Sequence, residues 1–537
     1  MGLGEADVAR RRPRNSAAGV PSNMHQRRLT SSSVLAHTSV FSRAARFIAC
    51  LCLIPALSSC IVTGYEKPDL ALEIPDQYKA GHGDKAPPEL DWWRGFRSRE
   101  LTAYVEHAQT ANFDIAVAIA QIEQADALVR VSGATLLPTV DANATVTRAH
   151  AATTTGSTGS SSGRVGGVSV ETTLFNTNLS ASYVLDVWGK NRAALLATEE
   201  NAIASRFNRE VVTLTTLTTV ANTYFQVLGT QDRLQVAHNN VAAASHILDL
   251  VKLQQKIGTT SGLEVAQQEA LLDTQRATIP PLEITVRQDK AALALLIGRA
   301  PEHVDLKGGS LTRLALPRVT PGLPSAILTQ RPDVRQAETQ LASSNYSVES
   351  ARAAFFPTIQ LTGQTGFESL ALRSLFGPGA WFYTAAASVT QPVFDGFLLL
   401  GQLEQQQAIQ KQNLEAYRKS VISAFTDVEK ALIAIEETTR QLRLQTQAVA
   451  SSRRAFELSE AQLKAGTVSL IIVLQTQQTL FTAEDTLAQV RLARFQAVVS
   501  LYQALGGGWP PKGEMVQEAA ERATEVHQTV PEVAPKP

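Results

Sequence analysis

The sequence predicts an α+β membrane protein with two internal structural repeats. Each chain carries four strands, and three chains close a homotrimeric 12-stranded transmembrane β-barrel continuous with a long α-helical barrel. Three observations carry that prediction. An alternating strand motif occurs twice at a fixed offset, each copy leads into a helix with a seven-residue apolar repeat, and the chain opens with a lipoprotein-type leader.

The leader comes first. Arg43 and Arg46 precede an apolar run, Phe47 to Leu57. That run is shorter than the roughly 20 apolar residues a helix needs to cross a bilayer, and has the length of a signal-peptide core. Leu57-Ser58-Ser59-Cys60 then reads as a bacterial lipobox, which assigns residues 1–59 to an N-terminal extension and signal peptide and makes Cys60 the site of lipid attachment. At roughly 0.8 kcal/mol per buried methylene, more than one acyl chain holds such an N-terminus firmly in a leaflet. Ile61 follows the cysteine, where inner-membrane retention favours Asp, so the expected location is the outer membrane, with residues 60–97 as a lipidated N-terminal segment. No cysteine occurs after Cys60, so no disulfide framework or cysteine metal site exists there.

The repeat follows. "FPTIQLTGQTGF" at Phe356–Phe367 sets Ile359, Leu361, Gly363, Thr365 and Phe367 on one side and Thr358, Gln360, Thr362 and Gln364 on the other, the period of a strand with two unlike faces. "LPTVDANATVTR" at Leu137–Arg148 does the same, and Pro138 and Pro357 lie 219 positions apart (357 − 138). Asn112-Phe113-Asp114-Ile115 and Arg331-Pro332-Asp333-Val334 keep that offset, whereas Gly258 and Gly466, or Gly298 and Gly506, lie 208 apart (466 − 258). The difference fits one longer loop in the first copy, the Thr/Ser/Gly-rich 151–167. The repeats are therefore set at 98–310, with strands about 136–150 and 172–186, and at 311–510, with strands about 357–368 and 382–394. Residues 511–537, without periodicity and rich in Glu, Ala, Pro and Val, read as a disordered tail.

A long helix spans about Gly189 to Ile257, roughly 100 Å at 1.5 Å per residue. Val220, Val227, Leu234, Val241 and Leu248 recur every seven residues, as do Val428, Ile435, Leu442, Val449 and Phe456 in the second copy. That spacing is a coiled-coil seam, not the surface stripe of a globular helix. Lys190 and Arg192 open the first long helix and read either as lumen charge or as a solvated helix start.

Four strands cannot close alone, and an open edge in lipid leaves backbone groups with no water to bond. Three chains supply twelve strands, near the length a tilted span requires. The same threefold assembly sets the helices side by side as a tube.

At this point the sequence resembles a known family. "LPSAILTQRPDVRQAETQL" (Leu323–Leu341), "ARAAFFPTIQL" (Ala351–Leu361), "LDVWGKNRAA" (Leu185–Ala194), "LKAGTVSLIIVLQTQQTL" (Leu463–Leu480) and the lipobox are similar to TolC-like outer-membrane efflux lipoproteins of the NodT/OprM-like branch, over Cys60 to about Trp509. The resemblance implies a homotrimer whose α-barrel lies in the periplasm. It also implies docking to a periplasmic adaptor (membrane fusion) protein and an inner-membrane pump of the resistance-nodulation-division (RND) type. The implied function is an exit channel that passively conducts drugs or other small molecules from periplasm to exterior.

Two helix-to-helix tips are the expected docking points: Gly258, Thr259, Ser261 and Gly262 in one, Gly466, Thr467 and Ser469 in the other. Each glycine suits a left-handed helix end, and Ser261 and Ser469 suit the cap of the next helix. The family often narrows its periplasmic aperture with acidic residues after the second tip. Here those positions are Ile472 and Gln475, so the possible gate is these two, with Glu264 after the first tip as a further candidate.

Charge balance, 49 basic against 49 acidic residues, offers no basic surplus for nucleic acid. No phosphate loop, nucleophile elbow or histidine pair of metal-ligand spacing occurs, so neither an enzyme nor a cofactor or metal is expected, beyond the lipid on Cys60. Two other readings remain: a type I protein-secretion duct, and a lipid-anchored coiled-coil scaffold or adhesin without a pore. The scaffold leaves the paired strands unexplained.

Overall fold

The computed structural model describes residues 91–151, 170–304, 306–317 and 324–507. The leader, Cys60 and its following segment, the loop at 152–169 and the C-terminal tail lie outside the described residues.

In chain order the elements are α1 (Arg99–Ala111), α2 (Phe113–Ala134), β1 (Thr139–Ala151), β2 (Val170–Leu185), α3 (Lys190–Lys256), α4 (Gly262–Ala277), α5 (Ile279–Leu296), α6 (Pro324–Gln330), α7 (Pro332–Ala353), β3 (Thr358–Ser369), β4 (Trp381–Thr390), α8 (Leu398–Lys464) and α9 (Leu470–Ala504). Short 3₁₀ turns, among them Trp92–Phe96, fill the joins. The strands differ by a few residues from the expected bounds, and proline explains the clearest shift. β4 stops at Thr390, short of 394, because Pro392 has no N–H to continue a ladder.

The long helices match expectation closely: α3 and α8 each contain 67 residues. Asp186 secures the start of α3, its carboxylate accepting from the N–H groups of Asn191 (3.0 Å) and Arg192 (2.8 Å). Asp395 does the same for α8 through Leu399 N–H at 2.9 Å. Towards the strands, α3 packs against α2 and α7; towards the tips it packs against α4, α5 and α9, while α8 runs along α7 and α9. These contacts bury six of the ten seam positions and leave Leu234, Val241, Ile435 and Leu442 half-buried. Val220, Val227 and Val428 have no exposed surface, and Leu248, Val449 and Phe456 are also buried.

One asymmetry escapes the seven-residue pattern. The return arm of the second half is a single helix, α9, but that of the first half breaks at Thr278 into α4 and α5. Pro280 and Pro281 lie in the first turn of α5, where missing N–H groups cost nothing, and would interrupt an unbroken helix.

Midway along the long helices an aromatic belt joins the arms. Trp92 stacks on Tyr502 at 5.0 Å, Phe96 meets Phe225 at 4.8 Å, and Phe225 meets Phe495 at 5.1 Å. Above it, two bonds tie the starts of α2 and α7 to the return arms. The Asn112 amide donates to Leu296 O at 2.7 Å while its oxygen caps α2, and buried Arg331 donates to Ala504 O at 3.2 Å while pairing with Asp333 and Asp427.

Candidate functional site

The sheet is a four-stranded antiparallel meander in the order β1-β2-β3-β4, with no partner among the described residues on the outer edge of β1 or β4. Register decides what its two faces are, because a one-residue slip would exchange them. Val140 pairs with Ala181, Ala181 with Gly363 and Gly363 with Ala385. The same face carries Ala142, Val146, Phe175, Leu179, Tyr183, Leu361, Phe367, Trp381, Tyr383 and Val389. On the other face Asp141 pairs with Ser180, Ser180 with Gln364 and Gln364 with Thr384, joined by Asn143, Asn178, Ser182, Gln360, Thr362 and Ser388. Two loops and two long helices separate these strands in the chain, yet their alternation falls into phase across the whole sheet.

The polar face is cross-linked by its own side chains. The amides of Asn176, Asn178 and Gln360 donate to Glu368 (2.9 Å), Asn176 (2.7 Å) and Ser182 (3.0 Å). Within the four strands, Asp141 and Glu368 are the only charged residues on this face; the apolar face carries charge only at its loop end, where Arg148 pairs with Glu171 at 2.6 Å beside His150. Aromatic rings bracket the apolar face, as at the two interfaces of a bilayer. Trp188 stacks on Phe356 at 4.9 Å at the helix end; Phe367–Phe376 and Trp381–Tyr383 pair at 5.3 and 5.4 Å at the loop end.

At the far end, the two tips are near copies. Gly258 and Gly466 take φ of 79° and 73°. Thr259 N–H then reaches Gln254 O, and Thr467 N–H reaches Gln462 O, both at 2.9 Å, each threonine hydroxyl bonding the same carbonyl. This is the Schellman closure for which glycine is favoured. The tips lie side by side, since the Gln254 amide donates to Leu463 O at 3.3 Å.

Ser261 and Ser469 both stand at the N-cap of the following helix, but the second halves of the tips differ. Ser261 precedes α4 in a capping box: its N–H donates to Glu264 Oε2 at 2.9 Å, and Thr260 Oγ1 also bonds that carboxylate. These bonds, Thr260 first, hold the Glu264 carboxyl below its ordinary pKa. Glu264 is thus engaged with its own loop and caps α4. Ser469 makes no side-chain cap bond, and Ile472, three positions on, has no side-chain acceptor to reach back to the Ser469 N–H, so the second tip has no box. Gly262 is the first residue of α4. Ile472 (42 % exposed) and Gln475 lie one helical turn apart on α9, both solvent-exposed and both uncharged.

Sequence reasoning missed the aromatic belt, the α4–α5 break and the Arg331 pairs. The cluster Trp92-Trp93 with Phe96 was a readable signal for the first, and Pro280-Pro281 for the second.

A sheet with one largely apolar, aromatic-bracketed face and one polar face, carried on helices of about 100 Å, fits the class of outer-membrane channels. The model of the outer membrane efflux protein family matches residues 104–299 and 323–507, and the chain belongs to that family. It is 37% identical over 444 residues to the pyoverdine export outer membrane protein OpmQ of Pseudomonas aeruginosa, covering 82% of this chain and 92% of that one. It is 29% identical to the toluene efflux pump outer membrane protein TtgF of Pseudomonas putida, over 84% and 95% of the two chains. Among solved structures, the open state of the Neisseria gonorrhoeae MtrE outer membrane channel superposes with a TM-score of 0.73 at 28% identity, covering 83% of this chain and 98% of that one. The protein is an efflux channel of the outer membrane, a transporter family and not an enzyme family.

Proposed function

We propose that three chains pair the β4 edge of each with the β1 edge of the next, closing a 12-stranded barrel around the polar face, and that the helices continue it as a periplasmic tube. The carrying observation is the sheet itself: one apolar face, one polar face in register, and two unpaired edges. Each chain contributes two copies of one duplicated unit, which α2 and α7, both 22 residues, and α3 and α8, both 67, support. Cys60 carries the lipid that holds the N-terminus to the membrane.

Conduction through this path is passive, driven by an inner-membrane RND-type pump that reaches the channel through a periplasmic adaptor docked on the tips, at Gly258, Thr259, Ser261, Gly262, Gly466, Thr467 and Ser469. Ile472 and Gln475 form an uncharged aperture beside the second tip. Relatives of similar architecture are named for cargoes as unlike as pyoverdine and toluene, so cargo selection rests with the pump and the channel carries a range of small molecules. The test is accumulation of a fluorescent pump substrate in cells lacking the chain. Restoring it is expected to lower accumulation to the parental level, while a form with both tips replaced by short Gly-Ser turns is not. Full rescue by the tipless form would refute docking at the tips.

A further inference from the structure

The two long helices leave the barrel through left-handed residues 208 positions apart, Gly189 (φ 76°) before α3 and Phe397 (φ 68°) before α8. Glycine occupies that conformation without strain, whereas a side chain costs about 1–2 kcal/mol there. The Phe397 carbonyl accepts from Gly401 N–H at 2.9 Å, as any residue's would there, but the side chain is not buried in return for this cost. It is 71 % exposed, and its one ring neighbour, Phe394 at 6.1 Å, is 80 % exposed. Around them Val393, Leu398 and Leu400 are exposed too. From Ser388 to Leu403 the only charge is Asp395, and its carboxylate is engaged with Leu399 N–H. The equivalent start of α3 is Lys190-Asn191-Arg192. So one of two related junctions is charged, and the other presents a strained phenylalanine in an apolar surface.

We propose that Val393–Leu400 is a lipid-contacting collar, seated among the phospholipid acyl chains of the inner leaflet just below the barrel. The patch continues the apolar face of β4, whose last member, Val389, is 67 % exposed. It belongs to the helix end of the sheet, beside the Trp188–Phe356 stack, where a belt of rings marks the bilayer boundary. A bilayer satisfies an apolar surface of this kind and offsets the backbone strain at Phe397. The α3 junction, with Lys190 and Arg192, meets headgroups and water at the same level. This inference rests on the barrel reading above.

The chain's only cysteines, Cys50, Cys52 and Cys60, all precede the described residues, which makes single-site nitroxide labelling direct. Labels go at Phe397→Cys and at Val393→Cys, where Phe397 is kept, with Tyr383→Cys on the apolar face, Thr384→Cys on the polar face and Lys190→Cys as references. The protein is reconstituted in phospholipid vesicles, and spin-relaxation accessibility to oxygen and to a neutral nickel chelate is read. The oxygen-to-nickel ratio at 393 and 397 is expected to match that at 383 and to stand several-fold above those at 384 and 190. Low access to both reagents at 393 and 397 would mean that a neighbouring copy covers the patch, and high nickel access would mean water; either overturns the collar. If 383 itself reads as aqueous, the barrel reading fails, not merely the collar.

Discussion

Replacing Glu264 tests its part in holding the first tip closed. In the structure its carboxylate closes the capping box at the first tip through Ser261 N–H and Thr260. Removing such a cap costs about 1 kcal/mol, part of it the favourable field between a carboxylate and a helix N-terminus. The carboxylate is only partly buried, at an exposed tip, so the upper end of the measured range does not apply. At 1.4 kcal/mol per tenfold, Glu264→Ala should open the tip about fivefold more often. Glu264→Gln keeps an acceptor in the box and loses only the charge, so its effect should be about twofold. Hydrogen exchange of the tip peptide reads this, with the second tip, which lacks a box, as the internal reference. pH adds a further check. A carboxyl held below its ordinary pKa contributes stability that is present above that ordinary value and disappears as pH falls through the depressed one. Wild-type protection at the first tip should therefore decline in acid once intrinsic exchange is corrected, and the Gln variant should show no such decline. Unchanged exchange in the Ala variant, or equal damage from Ala and Gln, would refute the capping account.

Three other expectations come from the same geometry. Gly258→Ala and Gly298→Ala both place a side chain at positive φ, at a cost of about 1 kcal/mol, but a Cβ at 258 meets open space and one at 298 would lie 2.2 Å from Ala111 O. Overpacking of about 1–3 kcal/mol adds to the second alone, so thermal melts in detergent should show Gly298→Ala clearly less stable than Gly258→Ala. Arg331→Ala strands Asp333 and Asp427 but leaves them 35 % and 41 % exposed, so a loss of about 2 kcal/mol is expected, below the 3–5 typical of fully buried pairs, measured by resistance to proteolysis. Leu179→Arg on the apolar face should cost about 2–4 kcal/mol and lower the membrane-inserted yield, while Ser180→Arg, one residue away on the polar face, should insert normally.

Much of the architecture was legible because it is periodic. The two-residue alternation of 139–151 and 358–369 encodes two unlike faces of a strand, and the seven-residue spacing through Val220 and Val428 encodes a buried stripe of a helix. The Gly258 and Gly466 tips were legible because few other residues take that conformation. What escaped was set by contacts between distant segments. Nothing local to Trp92 shows that it stacks on Tyr502, and nothing near Arg331 shows that Asp427 on α8 will pair with it. The capping box of Glu264 was written in the sequence, as a glutamate three residues after Ser261, but it went unread beside the gate candidacy of the same residue. Phe397 contradicts its local rule outright, and no periodicity announces a strained residue.

The central claim is that three copies of this sheet close one conduit. The most direct test is the detergent-corrected mass of the purified, lipidated protein. The account predicts three chains in a stable particle, with the β1 and β4 edges paired between copies. A stable monomer would leave both edges unpaired in lipid and would contradict it.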